Sequence, residues 1–346
     1  MKKFFTLISM ALVAMSVNAQ TEESYSAVPD GKLSAEYAAA VGDDGKTANN
    51  VQNGNSVVKF GTANVTVEAV GSGEPENIEG SGAEQITIGN VISAEEHTFE
   101  LISIDATKAI TWEVANQGDI NFSYVKGKGK PAVSMVAEEI VTEGEGTGTY
   151  KVKYTAFDPA VGGEPVSGLY YKFTTAVDGA LKVGIWANKG SHSTFLVDSE
   201  TKQPSEYLVE GYINGKNYTD EDVAAGKCTS DQVGQKKFMN NDEIRALGST
   251  EKPWVIGAGN QPFWGNVVID AKAGKTYWVF QGTTQIGFQG FTFAPGKSKE
   301  DMTAIEAVKN VSAKNANAPI YNLAGQKVNS SFKGIAVQNG KKFVVK

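Results

Sequence analysis

The chain has 346 residues, 41% hydrophobic, 21% charged and 10% aromatic, with 38 glycines, so it has room for one or two domains with a sizeable core and is not a disordered chain. Its 39 acidic against 32 basic residues give a net charge of -7, the wrong sign for gripping phosphates by counterion release, and no nucleic-acid partner is expected. One cysteine, Cys228, excludes an intramolecular disulfide, and two histidines, His97 and His192, exclude zinc sites of the three-His or Cys/His type.

At the amino terminus Lys2 and Lys3 precede an apolar run over 4–15, and Val17-Asn18-Ala19 sets small or short residues before Gln20. This is the pattern of a signal peptide over 1–19, cleaved after Ala19. The run falls short of the roughly 20 apolar residues that span a bilayer, and no later segment is apolar enough, so no transmembrane segment is expected. The destination implied is outside the cytoplasm, secreted or at the cell surface.

Beyond residue 20 the recurring signal is period-two alternation broken by Gly-containing turns, the mark of antiparallel strands with one buried face. Ile110, Trp112 and Val114 lead through Asn116-Gln117-Gly118-Asp119 into Ile120, Phe122 and Tyr124, which reads as a hairpin. The same layout recurs at Tyr171 and Phe173, Asp178-Gly179, then Leu181, Val183 and Ile185, and at Val267 and Ile269, Ala273-Gly274-Lys275, then Tyr277 and Val279. Further strands are predicted over 57–60, 63–70, 86–92, 98–105, 132–136, 149–155 and 285–293. In the last of these Ile286 and Phe288 differ in parity from Phe291 and Phe293, and a bulge at Gly290 would return all four to one face. The expected body is therefore an all-β, antiparallel β-sandwich of jelly-roll type over 20–295.

A polar stretch over 202–253 reads as an insertion carrying two short capped helices, one framed by Thr219, Asp222 and Gly226, the other by Asn240, Glu243 and Gly248. The stretches 71–82 and 143–148 read as flexible connections. After Phe293 a polar linker runs over 296–319. Residues 320–346 then form a small β-module whose Asn339-Gly340 turn is a strong hairpin signal.

Within that tail, Tyr321-Asn322-Leu323-Ala324-Gly325-Gln326-Lys327-Val328, Lys333-Gly334-Ile335 and the basic end resemble the C-terminal sorting domain of the type IX secretion system of exported Bacteroidetes proteins. The resemblance covers residues 303–346. It implies passage through the periplasm and export machinery as a partner of the C-terminal module, although this tail is shorter than the longer sorting domains and ends in Val344-Val345-Lys346. Ile256-Gly257-Ala258-Gly259-Asn260-Gln261-Pro262-Phe263-Trp264-Gly265, Tyr277-Trp278-Val279-Phe280 and Gly290-Phe291 resemble jelly-roll domains of secreted proteins that accompany polysaccharide-degrading enzymes in that lineage. That second likeness is to domains whose activity is mostly undefined and carries no site residues with it; a polysaccharide ligand is a separate expectation.

Chemistry-bearing motifs are sparse: there is no Gly-x-Ser-x-Gly elbow, no Walker loop and no His-Glu-x-x-His. The acidic runs Glu95-Glu96, Glu138-Glu139 and Asp220-Glu221-Asp222 read as solvated faces, since neighbours on a strand point to opposite sides. No catalytic residue, cofactor or metal is assigned, and a calcium ion on Asp220 and Asp222 would lack the EF-hand spacing. Tryptophans offer flat stacking surfaces for sugar rings, and three are candidates: Trp186, which parity turns away from Leu181, Val183 and Ile185, Trp264 and Trp278. The alternative places Trp186 beneath the 202–253 segment and the other two in the core. The leading expectation is an exported non-catalytic protein that binds glycan or another extracellular ligand. The runner-up is a polysaccharide lyase or glycoside hydrolase on the same scaffold, and a third reading is a structural surface protein. Aromatics with Asn, Gln and Lys in a shallow groove would favour binding, whereas a deep cleft with two carboxylates, or a Lys with a Tyr, would favour catalysis.

Overall fold

The computed structural model describes residues 21–52, 54–73, 78–79, 109–117, 122–127, 129–141, 149–188, 192–213, 219–226, 238–247, 254–256, 262–282, 284–303, 320–322, 327–328, 334–338 and 341–345. The expected signal peptide, the strands expected over 86–92 and 98–105, His97, Cys228, Glu95-Glu96 and the Asn339-Gly340 turn lie outside these residues.

In chain order the elements are β1 (Glu23–Ser26), α1 (Ala35–Ala39), β2 (Asn55–Gly61), β3 (Val65–Ser72), β4 (Ile78–Glu79), β5 (Glu113–Gln117), β6 (Phe122–Lys126), β7 (Ser134–Val141), β8 (Thr149–Thr155), β9 (Tyr170–Thr175), β10 (Gly179–Ala187), β11 (Thr194–Asp198) and β12 (Leu208–Ile213). They continue with α2 (Asp220–Ala224), α3 (Asn241–Leu247), β13 (Phe263–Ala271), β14 (Thr276–Gln281), β15 (Ile286–Pro295), β16 (Ile320–Asn322), β17 (Lys327–Val328), β18 (Gly334–Gln338) and β19 (Lys341–Val345).

Two antiparallel sheets make the sandwich. The larger runs β12-β13-β10-β15-β6-β5 with β1 added on β15, and the smaller runs β11-β14-β9-β3-β2. Strands pair from the inside outward, β12 with β13, β11 with β14 and β10 with β15, while the chain alternates between sheets. That nesting is the folded-ribbon logic of a jelly roll. Alternate residues of both sheets meet between the layers: Leu181, Val183 and Ile185 of β10 and Val267 and Ile269 of β13 pack with Val67 of β3, Tyr171 and Phe173 of β9 and Tyr277 and Val279 of β14. Each such side chain, fully buried, contributes about 1.5–3 kcal/mol of transfer free energy.

The expected bulge is present. Gly184 pairs with Gly290 and Ile185 with Phe288, leaving Gln289 as the extra residue, so Ile286, Phe288, Phe291 and Phe293 all reach the core. Gly290 has φ 151°, and a Cβ there would sit 2.1 Å from the Tyr25 carbonyl oxygen, so only glycine lets β1 close against β15.

Only the first of the three expected hairpins is one: β5 and β6 pair with Gln117 opposite Phe122. The other two layouts are crossovers, since β9 and β14 belong to the five-stranded sheet and β10 and β13 to the larger one. Alternation reports which side chains face the core, and it is the same whether two consecutive strands lie side by side or on opposite walls.

The 202–253 stretch contains β12, so the larger sheet reaches into it. Its helices carry the expected N-terminal caps, and Gly248 lies outside the described residues. Thr219 and Asp222 form a reciprocal capping box on α2, and Gly226 follows at φ 68°. On α3 the Glu243 N–H donates to Asn240 Oδ1 at 3.0 Å and the Asn240 N–H to Glu243 Oε2 at 3.1 Å. The expected linker starts docked on the body: the Lys299 N–H donates to Asp270 Oδ1 at 2.7 Å, and Met302 is buried against Ala180, Val268 and Ala294. The C-terminal module is a four-stranded sheet, β17-β16-β18-β19, rather than a lone hairpin, with β18 and β19 paired from Gly334 opposite Val345 to Gln338 opposite Lys341.

Candidate functional site

The outer face of the five-stranded sheet follows from parity and register. In β3, Val65, Val67 and Ala69 point into the core, so Thr66, Glu68, Val70 and Ser72 point out. Register sets Thr174 of β9 opposite Thr66, Lys172 opposite Glu68 and Tyr170 opposite Val70. On one side β2 adds Gly61 opposite Thr66 and Lys59 opposite Glu68, and on the other β14 adds Thr276 opposite Thr174 and Trp278 opposite Lys172.

These rows line an open groove of about 830 Å³, with Glu164, Ser199 and Lys202 on its wall. A second depression of about 460 Å³ shares Lys59, Glu68 and Lys172 with it and adds Asn50, Gln52, Asn55 and Tyr170. From Thr66 to Ser72 the face extends about 20 Å along the strand. The charges on it are cross-linked: Glu68 lies 2.8 Å from Lys59 Nζ and 3.7 Å from Lys172 Nζ, and Lys202 Nζ reaches Glu164 at 2.5 Å. The hydrogen bond from Lys59 holds the Glu68 carboxyl below the usual carboxylate range and outweighs the opposing effect of burial. Thr174 and Thr276 share a hydroxyl hydrogen bond of 2.7 Å. Trp278 is 5% exposed, with the Lys202 ammonium 4.7 Å from its ring centroid. Its other neighbours form a small apolar cluster on this face, Val70, Phe157, Tyr170, Phe195, Val197 and Phe280. The arrangement offers ammonium and amide donors and hydroxyls along a shallow surface floored by buried aromatic rings, which suits an elongated ligand rich in hydroxyl groups.

Trp186 and Trp264 lie on the outer face of the other sheet, so the three candidate tryptophans do not converge. Parity placed Trp186 outward correctly, but the expected solvent-facing platform is not what forms there. Trp186 is 8% exposed, stacked on Tyr124 at 4.9 Å and 12°, with its indole N–H donating to Gln117 Oε1 at 2.7 Å. Trp264, fully buried, sits opposite Trp186 and stacks on Tyr212 at 5.8 Å. Alternation gives a side chain's direction and is blind to what neighbouring strands lay over it.

Further along the same face Lys182 and Glu210 form an ion pair whose side chains are 11% and 4% exposed, with Asn266 Nδ2 3.5 Å from the Glu210 carboxylate. Glu138 and Glu139 lie on β7, and their side chains are outside the described residues. The Asp222 carboxylate accepts the Thr219 N–H in the α2 cap. No group of three or more His, Cys, Asp or Glu side chains placed to hold a metal occurs among the described residues. No described helix is long and apolar enough to cross a membrane.

Sequence reasoning missed Lys59, Glu68, Lys172, Lys202 and Tyr170. Their parity was readable in each strand, but that β2, β3, β9 and β14 are neighbours was not. No protein-family model matches the chain, and no match was found among curated proteins.

Proposed function

We propose that this is an exported, non-catalytic binding protein that takes a glycan chain along the outer face of its five-stranded sheet. One observation carries the reading: Lys59, Lys172, Lys202, Asn50 and Gln52 line two adjoining shallow depressions that share Lys59, Glu68 and Lys172. Such a surface meets a polysaccharide with ammonium and amide donors, and it is open at the sides, as a long chain requires. The carboxylates favour binding over hydrolysis. A glycosidase acid needs a raised pKa to hold its proton near neutrality, whereas the lysine beside Glu68 pushes that group the other way.

The C-terminal sheet supports the export part of this reading. Among the described residues its strands pair only with one another, and β19 pairs on one side only, with β18. A sheet edge of this kind offers unpaired backbone groups to a receptor by strand addition. Deleting residues 304–346 while keeping the docked Met302 should leave a folded protein that stays in the periplasm of its host. Arrival at the surface or in the medium would refute the sorting role. The binding role is tested by exposing the purified protein to a panel of polysaccharides and scoring retention together with release of reducing sugar or unsaturated uronate. Retention without release is expected, and release without retention would establish an enzyme.

A further inference from the structure

The outward-facing row of β3 does not end in the groove. It continues from Val70 to Ser72, and beyond Ser72 lies a depression of about 450 Å³ lined by Ser72, Gly129, Tyr154, Ser167, Gly168 and Gly282 among others. Ser72 joins the two spaces: its hydroxyl donates to Asn55 Oδ1, on the groove side, at 2.5 Å, and its N–H donates to the Gly168 carbonyl at 3.1 Å.

We propose that this depression is a subsite for a single sugar ring at one end of the bound chain, an inference that rests on the groove reading above. Three features point to that chemistry. Ser167 lines the space and is 2% exposed, and its hydroxyl is buried with no hydrogen-bond partner among the described residues. A buried hydroxyl in that state gains from a ligand that supplies the missing partner. The second feature is the wall beside it, which is bare backbone. A Cβ on Gly168, at φ +85°, would lie 2.3 Å from the Lys130 carbonyl oxygen, and one on Gly129 would lie 3.0 Å from Gly168 Cα. The segments around 129–130 and 168 are thus pressed together without side chains between them, which puts bare backbone in this wall. The third is Tyr154, an exposed aromatic (43%) on the rim, whose ring matches the C–H face of a pyranose. A space of 450 Å³ is of the size that holds small ligands.

The test is a two-dimensional amide and indole NMR titration of the ¹⁵N-labelled protein. Glucose, galactose, mannose, xylose and N-acetylglucosamine are added singly, followed by oligosaccharides of each. At least one monosaccharide should shift the Gly129, Gly168 and Gly282 amides saturably and leave the Trp278 indole in place, while its oligosaccharide shifts both sets. Ser167→Ala should weaken the monosaccharide by about tenfold with an unchanged melting temperature. If oligosaccharides move Trp278 while no monosaccharide moves the glycines, the subsite is wrong and the groove stands. If neither class moves either set, both fall. Unchanged monosaccharide affinity in Ser167→Ala would overturn the assignment to this hydroxyl.

Discussion

Replacing Trp186 by alanine separates an exposed platform from a packed ring. An exposed indole would cost within about 0.5 kcal/mol to remove. The structure instead covers it: 8% exposure, a near-parallel stack on Tyr124 at 4.9 Å and a 2.7 Å hydrogen bond to Gln117. Truncating a buried tryptophan costs about 3–5 kcal/mol. Collapse into the space is restricted from below, because the floor is Gly287, where even a Cβ would lie 2.3 Å from the Tyr124 ring and 2.9 Å from Trp186 Cβ. Trp186→Ala should therefore lose about 3–4 kcal/mol. At a urea slope of about 3 kcal/mol/M the unfolding midpoint moves down by about 1 M, read from the strand signal in circular dichroism. Trp186→Phe keeps a stacking ring and gives up the hydrogen bond, so about 1–2 kcal/mol is expected. A loss below about 1 kcal/mol for the alanine variant would refute the packing described and restore Trp186 as an open platform.

Glu210→Ala leaves Lys182 buried without its partner and should cost about 3–5 kcal/mol, whereas exchanging both for apolar residues of similar size should recover most of the loss in the same denaturation assay. Gly290→Ala places a Cβ against the Tyr25 carbonyl at a backbone angle unsuited to alanine, so it should destabilise by about 2 kcal/mol or more, with β1 amides exchanging faster. Acid should act through carboxylates held below their usual range. Lys59 lowers Glu68, and at Asp198 burial is outweighed by the N–H groups of Glu200 and Thr201 and by Lys275. A depressed folded pKa contributes stability that is complete above the unfolded value of about 4 and is lost as pH falls through the folded one. Melting temperature should accordingly stay level from neutral pH down to about 5 and drop below that, and a drop confined to pH 5–7 would contradict the assignment.

The fold class was legible because alternation is dense and glycine turns are frequent. Gly290 is the clearest case: the change of parity between Phe288 and Phe291 has no solution but an extra residue between them. The Thr219 and Asn240 caps were likewise local, each written within four residues. Strand neighbours were not legible. Asp178-Gly179 reads as a hairpin turn, yet it carries the chain from one sheet to the other, because burial on one face constrains direction and leaves the hydrogen-bonding partner open. The site was hidden for the same reason. Lys59 and Lys172 are ordinary solvent-face lysines within their own strands, and they form a track only when β3 brings Glu68 between them.

The central claim is that glycan binding resides on the face built by β2, β3, β9 and β14. Calorimetric titration of a retained oligosaccharide into the purified protein, into Lys59→Ala/Lys172→Ala, and into Lys126→Ala on the opposite sheet tests it most directly. The account predicts saturable binding to the unaltered protein and to the Lys126 variant, and at least about a tenfold loss in the double variant while it stays folded by circular dichroism. Equal affinity in all three proteins, or no polysaccharide retained at all, would contradict it.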